Sequence, residues 1–263
     1  MTGLDGYTET TFTFEGKTRQ VFRRGEGPAV IVIAEIPGIT PLVADFGRRV
    51  AEAGFTAVLP SLFGTPGKEA NPGYMAQSIA FACVSKEFAT WATNKTSPAT
   101  VWARALARHE HEQCGGPGVG VVGMCLTGNF ALAMMVDPVV AAPVLSQPSL
   151  PFVLNGAYRR DVNLSPEDLA IVKQRCEDEP ELCVLGLRFT GDRMAPPERF
   201  ARLREELGDS FVGVEIDSSK GNPHGIGSMA HSVLTDELVD EPGHPTREAL
   251  DQVLDLFRTR LRP

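Results

Sequence analysis

Apolar residues recur along this chain with two periods that take turns. Residues 8–27 alternate apolar and polar positions on both sides of Glu15-Gly16-Lys17, the pattern of an N-terminal β-hairpin. Residues 28–36, PAVIVIAEI, form a short β-branched run suited to a strand buried on both faces. Residues 41–54 shift to helical spacing, with Leu42, Phe46 and Val50 on one face and Gly54 as a stop. FTAVLP, at 55–60, reads as a strand ended by Pro60. Residues 75–92 and 97–113 read as helices, the second with Ser97 as N-cap and Pro98 in its first position. Strands at 118–124, 139–146, 184–192 and 211–217 then alternate with helices at 127–136, 165–177, 196–208 and 245–261. Such alternation predicts the α/β class: a mostly parallel sheet with helices on both faces. No linker, internal repeat or low-complexity tract divides the chain, so residues 1–263 read as a single domain carrying the hairpin.

Composition narrows the partners. Hydrophobic residues make up 43% of the chain and charged residues 22%, enough for a sizeable core. The formal charge of −8 leaves no basic surplus to neutralise phosphates, which argues against nucleic acid and anionic membranes. The opening MTGLDGYTET has no basic or apolar leader pattern and no later run approaches a bilayer span, so the expected compartment is the cytoplasm. Five cysteines at irregular spacings do not suggest a disulfide framework, and Cys83, Cys114, Cys176 and Cys183 read as reduced, structural thiols.

Residues 116–130, GPGVGVVGMCLTGNF, hold two incompatible fingerprints. From Gly118 they spell G-x-G-x-x-G, the phosphate cradle of a dinucleotide fold. From Gly123 they resemble a nucleophile turn centred on Cys125. The cradle needs its glycines after a strand and a carboxylate roughly 20 residues further on. Here the valines between the glycines are the strand itself, and VVAAPVLSQP, where the acid would stand, has none. No nucleotide cofactor is therefore expected. The second reading puts Cys125 at a sharp strand-to-helix turn, the place of a nucleophile elbow. Gly123 supplies the small residue two before it, while two after it Thr127 stands ahead of Gly128. Unpaired N–H groups at a helix start favour negative charge, which activates a thiol and can bind an oxyanion.

A nucleophile needs a base, and the base an orienting acid. In α/β hydrolases these follow the nucleophile in the order acid, then histidine. Asp192 ends the strand at 184–192, and His231 stands in a glycine-rich loop just before SVLT, where adjoining structure can hold a general base. His224 sits mid-loop, His244 lies between Gly and Pro as a turn residue, and His109 and His111 point to different faces of a helix, which disfavours a metal site. Glu35 ends an otherwise apolar strand, so it needs a hydrogen-bonding partner or a raised pKa. The Cys125 thiol is one candidate partner.

Taken in order, AEIPGI, GFTAVLPSLFG, VVGMCLTG, FTGDR and AHSVLT resemble the dienelactone hydrolase family, and the resemblance covers most of the chain. It implies an α/β-hydrolase fold with a triad of Cys125, Asp192 and His231. Glu35 would bind the thiol at rest and take its proton when substrate enters. The N–H groups of Ile36 and Leu126 would form the oxyanion hole. A carboxylated enol-lactone would be opened through a thioester, with no metal and no cofactor. Two positions depart from the pattern. Thr127 replaces the first Gly of Cys-Leu-Gly-Gly. Thr235 takes the substrate-binding place of an Arg four residues after the histidine, and a hydroxyl supplies no charge to a carboxylate. Arg159 or Arg160, in the segment 149–168, is a candidate replacement. The expectation is a cofactor-free hydrolase of small-molecule esters or lactones. The alternatives are a thioesterase or general carboxylesterase, or an inactive fold used as a small-molecule binding or thiol-sensing module.

Overall fold

The computed structural model describes residues 3–85, 87–88, 94–150 and 156–262. Strands β1 (Thr8–Phe14) and β2 (Lys17–Arg24) form an antiparallel hairpin whose turn residues Glu15 and Gly16 both have positive φ. Strands β3 (Ala29–Ile33), β4 (Thr56–Pro60), β5 (Val119–Met124), β6 (Val140–Ser146), β7 (Val184–Phe189) and β8 (Phe211–Ile216) run parallel, and β2 joins β4 antiparallel. The sheet order is β1-β2-β4-β3-β5-β6-β7-β8. This is the mostly parallel α/β sheet that the alternating periods predict.

Eight α-helices connect or flank the strands among the described residues: α1 (Pro41–Glu52), α2 (Pro72–Val84), α3 (Pro98–Cys114), α4 (Gly128–Met134), α5 (Gly156–Arg160), α6 (Pro166–Asp178), α7 (Pro197–Leu207) and α8 (Pro245–Leu261). Helices α1, α2, α3, α6 and α8 each begin on proline, behind Thr40, Asn71, Ser97, Ser165 and His244, whose side chains accept a first-turn N–H. Proline's fixed φ suits the first turn, and the cap satisfies an orphan donor. The Asn71 cap is why α2 starts before the expected residue 75. It ends at Val84, where Ser85 is extended; residues 86 and 89–92 of the expected helix lie outside the described residues. A short helix, α5, lies within the segment 149–168 and carries Arg159 and Arg160.

Two apolar layers cover the sheet, and alternation along each central strand feeds both. From β3, Ala29, Ile31 and Ile33 point to one core and Val30 and Val32 to the other. Helices α3, α4, α6 and α7 close the first layer, α1 and α8 the second. Burying a side chain such as Phe257, which has no exposure, contributes roughly 1.5–3 kcal/mol.

Packing explains the glycines of G-x-G-x-x-G without a nucleotide. A Cβ on Gly118 would stand 2.7 Å from the Val139 carbonyl oxygen. One on Gly120 would press on Phe257 and Leu261 of α8 at 3.0–3.1 Å. Gly123 serves the turn described below. Two of the three glycines lie within β5 itself, not in a loop opening a helix.

Register sets where the chemistry collects. Ile33 pairs with Gly123, Met124 with Ser146, and Ser146 with Leu187. The carboxyl ends of β3, β5, β6 and β7 therefore lie side by side, the edge along which parallel α/β sheets gather ligands.

Candidate active site

Cys125 leaves the end of β5 with φ of +52°, then a single 3-10 turn, Cys125–Thr127, leads into α4. A non-glycine residue in this region costs on the order of 1–3 kcal/mol and persists only where its surroundings hold it. Three contacts do so. A Cβ on Gly123 would meet the Thr127 carbonyl oxygen at 2.1 Å, so the turn closes only on glycine. A Cβ on Gly128 would lie 2.4 Å from Pro148 Cα. The Thr127 hydroxyl accepts the Met124 N–H at 3.0 Å and lies 2.9 Å from the Ile33 carbonyl, to which it can donate. Thr127 is fully buried and ties the turn to the end of β3. The sequence departure at this position is thus a built feature of the elbow.

Asp192 and His231 come together through a second close approach. A Cβ on Gly191 would stand 2.6 Å from the Ser228 carbonyl oxygen, so glycine lets the loop after β7 abut the loop that carries His231. The Asp192 carboxylate accepts the N–H groups of Met194 and Ala195 through Oδ1, which orients Oδ2 toward His231 Nδ1 at 2.6 Å. Nε2 of His231 is buried and has no hydrogen bond in good geometry to the described residues. Burial disfavours the imidazolium, but Cys125 and Asp192 together outweigh it and raise the His231 pKa well above the ordinary imidazole value.

Glu35 sits just beyond β3 with 7% exposure. The sequence suggested the Cys125 thiol as its partner; its hydrogen bonds instead come from Thr235, from Ser232 at 2.7 Å and from Gln147 Nε2 at 3.1 Å. Desolvation raises its pKa, and the Thr235 and Ser232 hydroxyls work against that rise. Gln147 is fully buried, with φ of +33°, and its Oε1 accepts from Ser146 and the Val233 N–H. One network thereby joins the ends of β3 and β6 to the His231 loop.

A cavity of about 470 Å³ opens over these groups. Cys125, His231, Glu35, Ser232 and the two candidate oxyanion-hole residues, Ile36 and Leu126, line it. Thr235, expected at the substrate, is not among the described lining residues, because its hydroxyl is turned onto Glu35. Neither are Arg159 and Arg160: the first forms a two-pronged pair with Glu198 at 2.8 Å, the second binds Glu205 at 2.5 Å. Both cations are paired with carboxylates of α7 and neither lines the cavity. Ser232 and Gln147 went unnoticed in the sequence. Gln147 follows β6 as Glu35 follows β3, and that shared position at a strand end was the available signal.

Comparison with known proteins places the chain in a family. The model of the dienelactone hydrolase family matches residues 17–261, and the chain belongs to that family. Over 59 residues it is 37% identical to YghX of Escherichia coli (strain K12), named as a hydrolase fragment; that match covers 21% of the chain and half of the relative. Among solved structures it resembles a dienelactone hydrolase-like promiscuous phosphotriesterase, P91, from metagenomic libraries, with a TM-score of 0.63, 16% identity and coverage of 97% and 98% of the two chains. The dienelactone hydrolase of Anabaena variabilis ATCC 29413 gives a TM-score of 0.60 at 15% identity, covering 98% of this chain and all of the other. At such identities the likeness is one of fold, here the α/β-hydrolase fold. No described helix is long and apolar enough to cross a membrane.

Proposed function

We propose that this chain hydrolyses small-molecule esters or lactones through a thioester on Cys125, with His231 as acid and base and Asp192 as its orienting group. The observation that carries the reading is Cys125 at φ +52°, in a cavity it shares with an imidazole held by a carboxylate at 2.6 Å. A raised His231 pKa favours the imidazolium before substrate arrives, and the proposed mechanism pairs it with a Cys125 thiolate. The thiolate attacks the carbonyl carbon, and the N–H groups of Ile36 and Leu126 receive the oxyanion. Collapse breaks the C–O bond as the imidazolium gives its proton to the leaving oxygen. Neutral His231 then takes a proton from water, whose oxygen attacks the thioester; collapse releases the acid and restores the pair.

Glu35 enters this scheme as a positioning residue. Its carboxylate is tied to Gln147, Ser232 and Thr235, and its carbonyl accepts the Gly38 N–H at 2.7 Å, which fixes the segment carrying the Ile36 N–H. Thiol chemistry requires reduced Cys125, which fits a reducing compartment such as the cytoplasm. We read the whole chain as one domain working in this way.

Quenched reaction with an activated aryl acetate, followed by peptide mass spectrometry, tests the assignment. One acetyl group on the Cys125 peptide, lost on hydroxylamine treatment, is expected, with turnover abolished in Cys125→Ala. Turnover that survives in Cys125→Ala overturns it. A reactive Cys125 with no turnover on aryl esters, enol-lactones or acyl thioesters points instead to a binding or thiol-sensing module.

A further inference from the structure

The cavity combines apolar walls with acidic charge. Met75, Ile79, Leu42 and Met194 line it and are each more than a third exposed, so they present a greasy entrance. Besides Glu35, two further carboxylates line it, Glu69 and Asp236, both exposed and neither ion-paired among the described residues. No lysine or arginine appears among the described lining residues. Lys68, next to Glu69, is turned onto the Tyr74 ring at 4.1 Å. Asp236 lies near enough to Glu35 to raise its pKa further. It follows directly on Thr235, so where a carboxylate-binding cation would be expected the chain offers a neutral hydroxyl and then a negative charge.

We propose that Asp236 and Glu69 are specificity-determining residues that make this site select apolar acyl groups bearing positive charge and reject carboxylated ones. The inference rests on the reading of Cys125 as the reacting group. An anion entering the cavity meets two unneutralised charges over a low-dielectric surface, while a cation meets complementary ones. Each exposed carboxylate is worth roughly a factor of a few in rate, so the pair together gives about tenfold between matched cation and anion. Because both groups are exposed, salt should shrink that ratio.

Two experiments separate this from the hydrolase reading. Aryl hexanoates ending in a methyl, a carboxylate or a trimethylammonium group would be compared by kcat/KM. The cationic ester should exceed the carboxylated one by about tenfold at low salt and by only a few-fold in molar salt. Asp236→Asn with Glu69→Gln should bring the cation-to-anion ratio toward one, and Asp236→Arg should favour the carboxylated ester. Mixed-disulfide formation on Cys125 by cationic and anionic methanethiosulfonates, with methanesulfinate as the leaving group, is read on the Cys125 peptide and requires no turnover. With each rate divided by that of the same reagent on a free small-molecule thiol, the cationic reagent should be favoured about tenfold, and the double variant should lose that normalised preference. Equal normalised rates for the two reagents, or a carboxylated ester favoured by the unaltered protein, overturns the charge selection. If none of the esters is hydrolysed but the reagent preference holds, the hydrolase reading fails and the charge selection stands.

Discussion

The Thr235 hydroxyl donates to the Glu35 carboxylate, some 200 residues away in the chain and at the edge of the same cavity. With Ser232 and Gln147 it completes a set of three donors around one buried acid. A carboxylate so enclosed stays put, and it carries the neighbouring Ile36 segment with it. The side chain that might have met substrate is committed to the scaffold.

Glu35 should make stability depend on pH. Burial raises its folded pKa above the ordinary carboxylate value of 4.5. Its contribution is therefore fully present below the unfolded pKa and is lost as pH rises through the folded one. Glu35→Gln removes the titration and leaves one acceptor for several donors, which costs about 1–3 kcal/mol at low pH. Urea unfolding from pH 4 to 8 should show the unaltered protein losing stability relative to the variant as pH rises. Parallel curves would contradict the buried ionisable role.

Thr127 should be replaceable by serine and not by valine. The Thr127→Val variant keeps the shape but strips a hydroxyl that serves the Met124 N–H and the Ile33 carbonyl in a fully buried place. Leaving those groups unpaired costs about 1–3 kcal/mol and frees the elbow from β3. Thermal unfolding and ester turnover should both fall in Thr127→Val and both survive in Thr127→Ser. Equal behaviour of the two variants would assign Thr127 a filler role.

Much of this arrangement is legible from local pattern. The period-two and helical runs mark the strands and helices because each buries one face, and Asn71-Pro72 could have been read as a helix start by the rule that identified Ser97-Pro98. Cys125, Asp192 and His231 could be singled out because each follows a strand, and parallel strands share one carboxyl edge. The partners of Glu35 could not be placed, since they depend on where a loop 200 residues away turns its hydroxyls. Nor could the ion pairs of Arg159 and Arg160, which α7 supplies across the fold. Hydrogen bonds between loops carry no periodic signature.

Gly123 should tolerate no side chain. A methyl there would stand 2.1 Å from the Thr127 carbonyl oxygen, backbone that cannot move without opening the turn around Cys125. The Gly123→Ala variant should lose about 3 kcal/mol or more and its Cys125 reactivity. Gly156→Ala, at a helical site where a Cβ would meet nothing within 4 Å, is the matched control and should be close to neutral. Chemical denaturation with thiol labelling checks both, and a stable, reactive Gly123→Ala protein would refute the closed-turn account.

Asp192 should set the alkaline limit of activity. The imidazolium of His231 is opposed by burial and sustained by Cys125 and Asp192, so its pKa is raised. Protonated His231 supplies the leaving-group proton in the proposed mechanism, and activity should persist to pH values well above the ordinary imidazole range before declining. Asp192→Asn can still accept the Met194 and Ala195 N–H groups, so the loop should hold. It removes the negative charge 2.6 Å from Nδ1, which lowers the His231 pKa. On an alkyl ester, whose leaving oxygen needs that proton, kcat/KM should fall by about 10²–10⁴, and its alkaline limb should move to lower pH. An alkaline limb at the same pH in both proteins would mean that a group other than His231 donates the proton, and the assignment of the acid would have to change.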